Sequence, residues 1–265
     1  MLLPRTSREC AGRGPVMGCI VDKLSAFLVR LVGLSASPPG DRRSSPAVPG
    51  RGEPGGEASF AASRRSLAVS FLAVAAFCAL SIAVLDRPLA FACRSVAKGI
   101  RESFRFVTAF GLSGWYLVPS FLLFILFRFR YRNPAWAGRA LFVFVAVALS
   151  GVLVDVLKFV LGRYRPAMMF RDGLYGFTLF QTDAGATSFP SGHAAVITAL
   201  AMSLDAILPR YRAAYVVFAL LVTASRVVTC AHFLSDAVAG AYVAAITVLL
   251  LKHLFTGTGL QLRHR

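Results

Sequence analysis

The sequence predicts an all-α fold: a polytopic membrane bundle of about six transmembrane helices, preceded by a disordered N-terminal tail. Three observations predict it. Apolar residues make up 57% of the 265 residues and charged residues 15%, far less charge than a soluble domain of this size carries. The apolar residues gather in blocks of roughly 17–24, the length that a hydrocarbon core of about 30 Å requires. Before residue 66 the composition turns instead to Pro, Gly, Ser and Arg.

That first segment, residues 1–66, reads as a disordered basic tail. Its stretch PPGDRRSSPAVPGRGEPGGEAS (38–59) buries too little apolar surface to offset the entropy of ordering. One apolar piece, Leu24–Leu34, is too short to cross a bilayer and fits an interfacial helix or chance. No apolar core followed by a small-residue cleavage site stands near Met1, so a cleaved signal peptide is not expected; Met17 is an alternative start.

Six spans follow, approximately Leu67–Leu85, Phe106–Phe127, Ala140–Leu161, His193–Leu208, Ala213–Thr229 and Leu234–Phe255. Each must be helical, because lipid leaves no partner for an unpaired backbone group. The fourth is the weakest, being short and carrying Asp205. Residues 67–255 thus form the membrane domain and 256–265 a short cytoplasmic tail.

Net charge is +17, from 29 Lys and Arg against 12 Asp and Glu. A nucleic-acid binder would cluster that charge on a folded basic face. Here it sits between apolar blocks, which suits loops against anionic headgroups, and no nucleic-acid partner is expected. Arg42, Arg43, Arg64 and Arg65, then Arg128, Arg130, Arg132 and Arg139, then Arg210 and Arg212, then Lys252, Arg263 and Arg265 all fall on one side of a six-span topology. That side is read as cytoplasmic, with both termini. The first loop, 86–105, breaks the rule: Arg94, Lys98, Arg101 and Arg105 recur at helical spacing, which predicts an amphipathic surface helix. The five cysteines, Cys10, Cys19, Cys78, Cys93 and Cys230, contain no CxxC pair and predict neither a zinc site nor a disulfide framework.

Three constellations fall at the outer ends of spans. In KFVLGRYRP, Lys158 and Arg165 lie seven residues apart, about two turns, and share a face if the helix persists. Two such cations clamp an anion; a snorkelling lysine with a loop-end arginine is the plainer alternative. Arg163 is set aside as a neighbour. In SFPSGHAA, Ser191 is placed to cap the next helix, Gly192 to admit a ligand close to the backbone, and His193 to donate a proton. An ordinary cap with an interfacial histidine fits as well. In SRVVTCAHFLSD, Asp236 follows His232 by four residues, one helical turn, where a carboxylate can fix an imidazole tautomer. Arg226 adds a cation, and the six-residue spacing to His232 demands a bend between them. A helix-end salt bridge is the alternative here. Metal binding by His193, His232 and Asp236 is disfavoured, because three nearby cations repel a metal and attract an anion.

The order K-x6-RP, PSGH, SR-x5-H-x3-D resembles the three-part signature of the type 2 phosphatidic acid phosphatase superfamily, and every signature position matches. The resemblance covers about Ala140–Phe255. It implies metal-independent hydrolysis without a cofactor: His232 as nucleophile forming a phosphohistidine, Asp236 orienting it, and His193 protonating the leaving group. Lys158, Arg165, Arg226, Ser191 and the Gly192 N–H would hold the phosphate oxygens. A soluble vanadium haloperoxidase branch shares the signature, but six spans argue for a lipid substrate. The expected substrate is a lipid phosphomonoester or pyrophosphate: phosphatidic acid, phosphatidylglycerophosphate, undecaprenyl pyrophosphate or lipid A 1-phosphate. The expected place is a bacterial inner membrane, with the site on the periplasmic face. A lipid phosphotransferase using the same site, or a catalytically inactive lipid-binding or transport protein, are the other readings. In the loop 165–188, Phe170, Tyr175, Phe177 and Phe180 are expected to shape the headgroup entrance, and Asp172 and Asp183 to lie in a polar surface loop.

Overall fold

Aspartate 86, one residue past the first apolar block, turns out to lie inside a helix rather than a loop. The computed structural model describes residues 55–257 and 262, with side chains for 65–255 and 262. The expectations for residues 1–54, including Leu24–Leu34 and Met17, lie outside the described residues. The first helix, α1 (Gly55–Leu80), widens into a π segment (Ser81–Leu85) and continues as α2 (Asp86–Arg94). The predicted surface helix is split in two, α2 and α3 (Lys98–Thr108), by the break at residues 95–97. A 3-10 turn (Ala109–Gly111) leads to α4 (Gly114–Ile125), so the second predicted span is interrupted near its start.

Next come α5 (Pro134–Leu161), α6 (Pro166–Asp172), α7 (Gly192–Ile207), α8 (Arg212–Val228) and α9 (Leu234–Gly257). Asn133 starts α5 by accepting the Trp136 N–H at 3.2 Å, with Pro134 supplying a helix-ready φ. Among the described residues five stretches are long and apolar enough to cross a membrane: Arg65–Arg94, Lys98–Arg130, Pro134–Leu161, Pro209–Val228 and Leu234–Phe255. The expected fourth span is α7, and its 16 residues fall short of that length.

Packing explains α7. It lies against α5, α8 and α9, and Ala194, Ala195, Ile197 and Ala199 are fully buried. Small residues let neighbouring backbones close around it. The helices around it differ in the same sense: half of the α9 window is buried, against 11% of the α8 window, so α9 is central and α8 is peripheral. Gly240 of α9 lies against the residue that precedes α7, and an added Cβ there would overlap the backbone of Ser191. Phe142, Val147, Val154, Val248 and Phe255 fill the remaining core.

Candidate active site

Three connections meet at one end of this core: α5–α6, the entry to α7, and α8–α9. Helix α5 stops at Leu161, with Gly162 at φ +46°. Lys158 and Arg165 are therefore not on one continuous helix, as the spacing suggests. The carbonyls of Phe159, Val160, Leu161 and Gly162 accept in turn from the N–H groups of Gln181, Phe180, Leu179 and Thr178, at 3.0–3.3 Å. The returning loop thereby satisfies the four orphan carbonyls at the helix end. Arg165 is aimed by carbonyls: Nε donates to Ala184 at 2.6 Å, Nη1 to Ala231 and Nη2 to Thr187, both at 3.4 Å. Lys158 Nζ pairs with Asp155 at 2.8 Å, and a Cβ on Gly192 would stand 3.0 Å from it.

Helix α8 ends at Val228, and the chain turns through Cys230 at φ +54°. The Ala231 and His232 N–H groups both donate to the Arg226 carbonyl, at 3.0 and 3.1 Å. This is the bend that the Arg226–His232 spacing requires. Arg226 Nη1 donates to Thr108 Oγ1 at 2.7 Å, and its Nε is buried without a partner. Ser191 precedes α7 but its side chain does not cap it; Oγ is buried and also has no partner. Both are buried without a partner, as are Arg163 Nε and Thr178 Oγ1.

His232 is where the expectation needs most revision. Nδ1 lies 2.8 Å from the carbonyl oxygen of Ser188 and 3.6 Å from Asp236 Oδ2. A carbonyl only accepts, so Nδ1 carries the proton and Nε2 keeps a lone pair. Asp236 is thus a neighbour in charge, while the direct hydrogen bond goes to Ser188. Ser188 Oγ then donates to Asp236 Oδ2 at 2.5 Å, and so does the Phe233 N–H at 2.9 Å. The latter is half of a capping box, with Asp236 as the third residue of α9. Asp236 also accepts the Ser191 N–H on its own carbonyl at 2.9 Å, which ties the two motifs together.

Arg163, set aside on the sequence, is fully buried at the centre of this arrangement. Nη1 donates to Asp236 Oδ1 and, at 2.7 Å, to Ser235 Oγ; Nη2 donates to Asp86 Oδ2 at 2.8 Å and to Tyr175 OH at 3.2 Å. Tyr175 in turn donates to the Ile82 carbonyl at 2.6 Å, and the Phe233 ring lies 4.5 Å from the Arg163 guanidinium. Tyr175 and Phe177 therefore pack around Arg163, while Phe180 is the exposed one. Phe170 lies under Arg94 at 4.5 Å. Asp172 pairs with Arg171, Asp183 caps a short 3-10 turn, and Asp205 pairs with Arg212 at 2.7 Å.

The electrostatics agree with this geometry. Burial pushes the His232 imidazole down to about 4; Asp236 opposes the shift and Arg165 and Arg226 reinforce it. Burial also lowers Arg165. Arg163 is held above its ordinary value, since Asp236 and Asp86 outweigh its burial. Arg226, His232, Lys158 and Arg165 all stand near enough to His193 to act on its charge. Gly111 lies flat against the His193 ring, where an added Cβ would overlap it. Among the described residues no group of three or more His, Cys, Asp and Glu is arranged to hold a metal ion.

A sequence model of the PAP2 superfamily matches residues 139–259, the part of the chain that builds this site. A lipid A 1-phosphatase of Rhizobium etli is 33% identical, over 61% of this chain and 73% of its own length. The chain belongs to the PAP2 superfamily. A lipid A 1-phosphatase of Rhizobium johnstonii is 31% identical, over 68% of this chain and 78% of its own. The crystal structure of Aquifex aeolicus LpxE matches with a TM-score of 0.50 and 25% identity, covering 64% of this chain and 96% of that one. A PAP2-type phosphatidylglycerolphosphate phosphatase from Bacillus subtilis matches with a TM-score of 0.51, over 72% and 95%; at 23% identity that likeness is one of fold. This PAP2 protein is an integral membrane phosphatase, a phosphate-ester hydrolase by family.

The sequence signature points to Lys158, Arg165, Ser191, Gly192, His193, Arg226, His232 and Asp236, and they lie together. Reasoning on sequence missed Ser188, Asp86, Arg163, Thr108 and Gly111. Asp86 carried one signal, a carboxylate at the end of an apolar block. Arg163 and Gly111 carried none.

Proposed function

We propose that this phosphatase hydrolyses a lipid phosphate through a phosphohistidine at His232, and that its substrate is the 1-phosphate of a lipid A. The observation that carries the mechanism is the 2.8 Å contact from His232 Nδ1 to the Ser188 carbonyl, which leaves the Nε2 lone pair free to attack. The names of the Rhizobium relatives support the substrate.

In this reading Lys158, Arg165, Arg226, Ser191 Oγ and the Gly192 N–H hold the phosphate oxygens. The unpartnered Ser191 Oγ and Arg226 Nε are donors available for them. Nε2 forms a bond to phosphorus as the bond to the lipid oxygen breaks. His193 gives that oxygen a proton and then takes one from water. The water oxygen displaces Nε2 and inorganic phosphate leaves. Asp236 stabilises the cationic ring formed in the first step. No metal enters these steps. The basic residues between spans support an inner-membrane location with the site on the periplasmic side.

The test is release of inorganic phosphate by the purified protein from lipid A, phosphatidic acid, phosphatidylglycerophosphate and undecaprenyl pyrophosphate, each with and without EDTA. Lipid A should be the best substrate, EDTA should change nothing, and His232→Ala should lower kcat by about 10³-fold or more. Full activity in that variant would overturn the nucleophile. Preference for another lipid would overturn the substrate.

A further inference from the structure

Asp236, 3.6 Å from His232, is linked through Arg163 to Asp86, and none of these three ionic side chains has any exposure. Asp86 Oδ1 accepts Ser81 Oγ at 2.7 Å and the Ser235 N–H at 3.1 Å. Its Oδ2 accepts Arg163 Nη2 at 2.8 Å and Ser235 Oγ. Four donors on two oxygens leave no room for a proton of its own, so Asp86 is a carboxylate. Two carboxylates and one guanidinium give this linked group a net charge of −1, with Asp236 3.6 Å from the imidazole. With Asp86 removed, Arg163 would neutralise Asp236 and that net charge would vanish.

We propose that Asp86 and Arg163 are positioning residues for the nucleophile. Arg163 fixes the Asp236 carboxylate beneath His232. Asp86 offsets the Arg163 charge, so that negative charge remains to stabilise the ring cation formed when Nε2 bonds to phosphorus. The inference rests on His232 being the nucleophile. It also gives the first described membrane helix a part in the chemistry. Asp86 follows the π segment Ser81–Leu85, whose Ser81 is fully buried and donates to it. A carboxylate that merely holds helices together would not need a second carboxylate across the same arginine.

Opposite charge effects separate the two roles. His232 is faced by Asp236 from α9, Arg226 from α8, His193 from α7 and Arg165 from the α5–α6 connection. None of these four residues is substituted in the variants. Full-length protein labelled with ¹⁵N-histidine would be titrated by NMR in detergent, and phosphate release from lipid A measured on the same samples. Asp86→Asn should lower the His232 pKa and lower kcat by roughly 10- to 100-fold, with KM kept within about twofold. Arg163→Gln should raise that pKa. The double variant restores the net charge of −1, so its kcat should exceed that of Asp86→Asn by several-fold. Shifts of the same sign in both single variants, no shift in either, or a double variant as slow as the slower single would overturn the proposal. If Asp86→Asn does not fold, an unchanged or lowered His232 pKa in Arg163→Gln overturns it alone. If the wild type releases no phosphate, the functional reading falls, and the NMR shifts still decide the positioning role.

Discussion

The two layers of the site are built on opposite principles. On the ligand side, Ser191 Oγ and Arg226 Nε are buried with nothing to bond, and Lys158 makes one ion pair with the exposed Asp155. On the far side of His232, every oxygen of Asp86 and Asp236 is engaged and both ends of the Arg163 fork are held, with only the Arg163 Nε left buried without a partner. Leaving a buried donor unpaired costs free energy, and an anion bound at Ser191 and Arg226 would recover part of that cost. Satisfying a buried carboxylate several times over makes it rigid. In the proposed mechanism the upper layer receives the phosphate and the lower layer holds the imidazole that attacks it.

The comparison can be broken from either side. The largest effect after His232→Ala itself belongs to the receptor layer. Arg226→Ala should cut kcat/KM by about 10²–10³-fold, read as phosphate release, because a developing phosphoryl charge loses a desolvated donor. A comparable activity in that variant would show that the unpaired guanidinium is not part of the receptor.

Gly240→Ala should come next, since its Cβ must displace the Ser191 backbone that both layers share. Overpacking of this kind costs about 1–3 kcal/mol, and thermal unfolding in detergent should show it together with reduced activity. An unchanged melting point would mean that α7 and α9 can separate without penalty.

The pH profile sharpens the same contrast. The folded pKa of His232 lies near 4, below its ordinary 6.5, so between those values the folded ring is neutral while the unfolded one takes a proton. Stability then rises with pH across that window, and the nucleophile stays competent throughout it. The acidic fall of kcat/KM assigned to His232 should accordingly lie below about pH 5. A fall centred near 6.5 would place the imidazole in water. The smallest effect is expected far from both layers. Asp205→Asn breaks an exposed pair with Arg212 and should leave both activity and melting temperature where they were.

Several of these features were legible in the residues alone. Ionisable groups in apolar segments are conspicuous, because lipid penalises each one that has no task. Lys158, His193, Arg226, His232 and Asp236 stand out for that reason, and the apolar blocks mark six spans, of which five are long enough to cross among the described residues. The bend between Arg226 and His232 followed from helical periodicity, and the turn at Cys230 provides it. Local spacing misled where it assumed continuity. Lys158 and Arg165 looked like one helix face, yet Gly162 ends the helix between them. His232 and Asp236 looked like one turn of helix, yet α9 begins only at Leu234 and the Ser188 carbonyl takes the imidazole proton.

Sequence by itself determined the side chains of the proposed site and that the chain lives in a membrane, since both follow from hydropathy and from the cost of charge in lipid. Only the tertiary structure decided how those side chains are held. Asp86 meets Arg163 across 77 positions of sequence, and Ser188 meets His232 across 44. No periodicity within a helix encodes such a meeting. It depends on how α2, the α5–α6 connection and α9 pack, and on which buried polar groups have no other partner within reach.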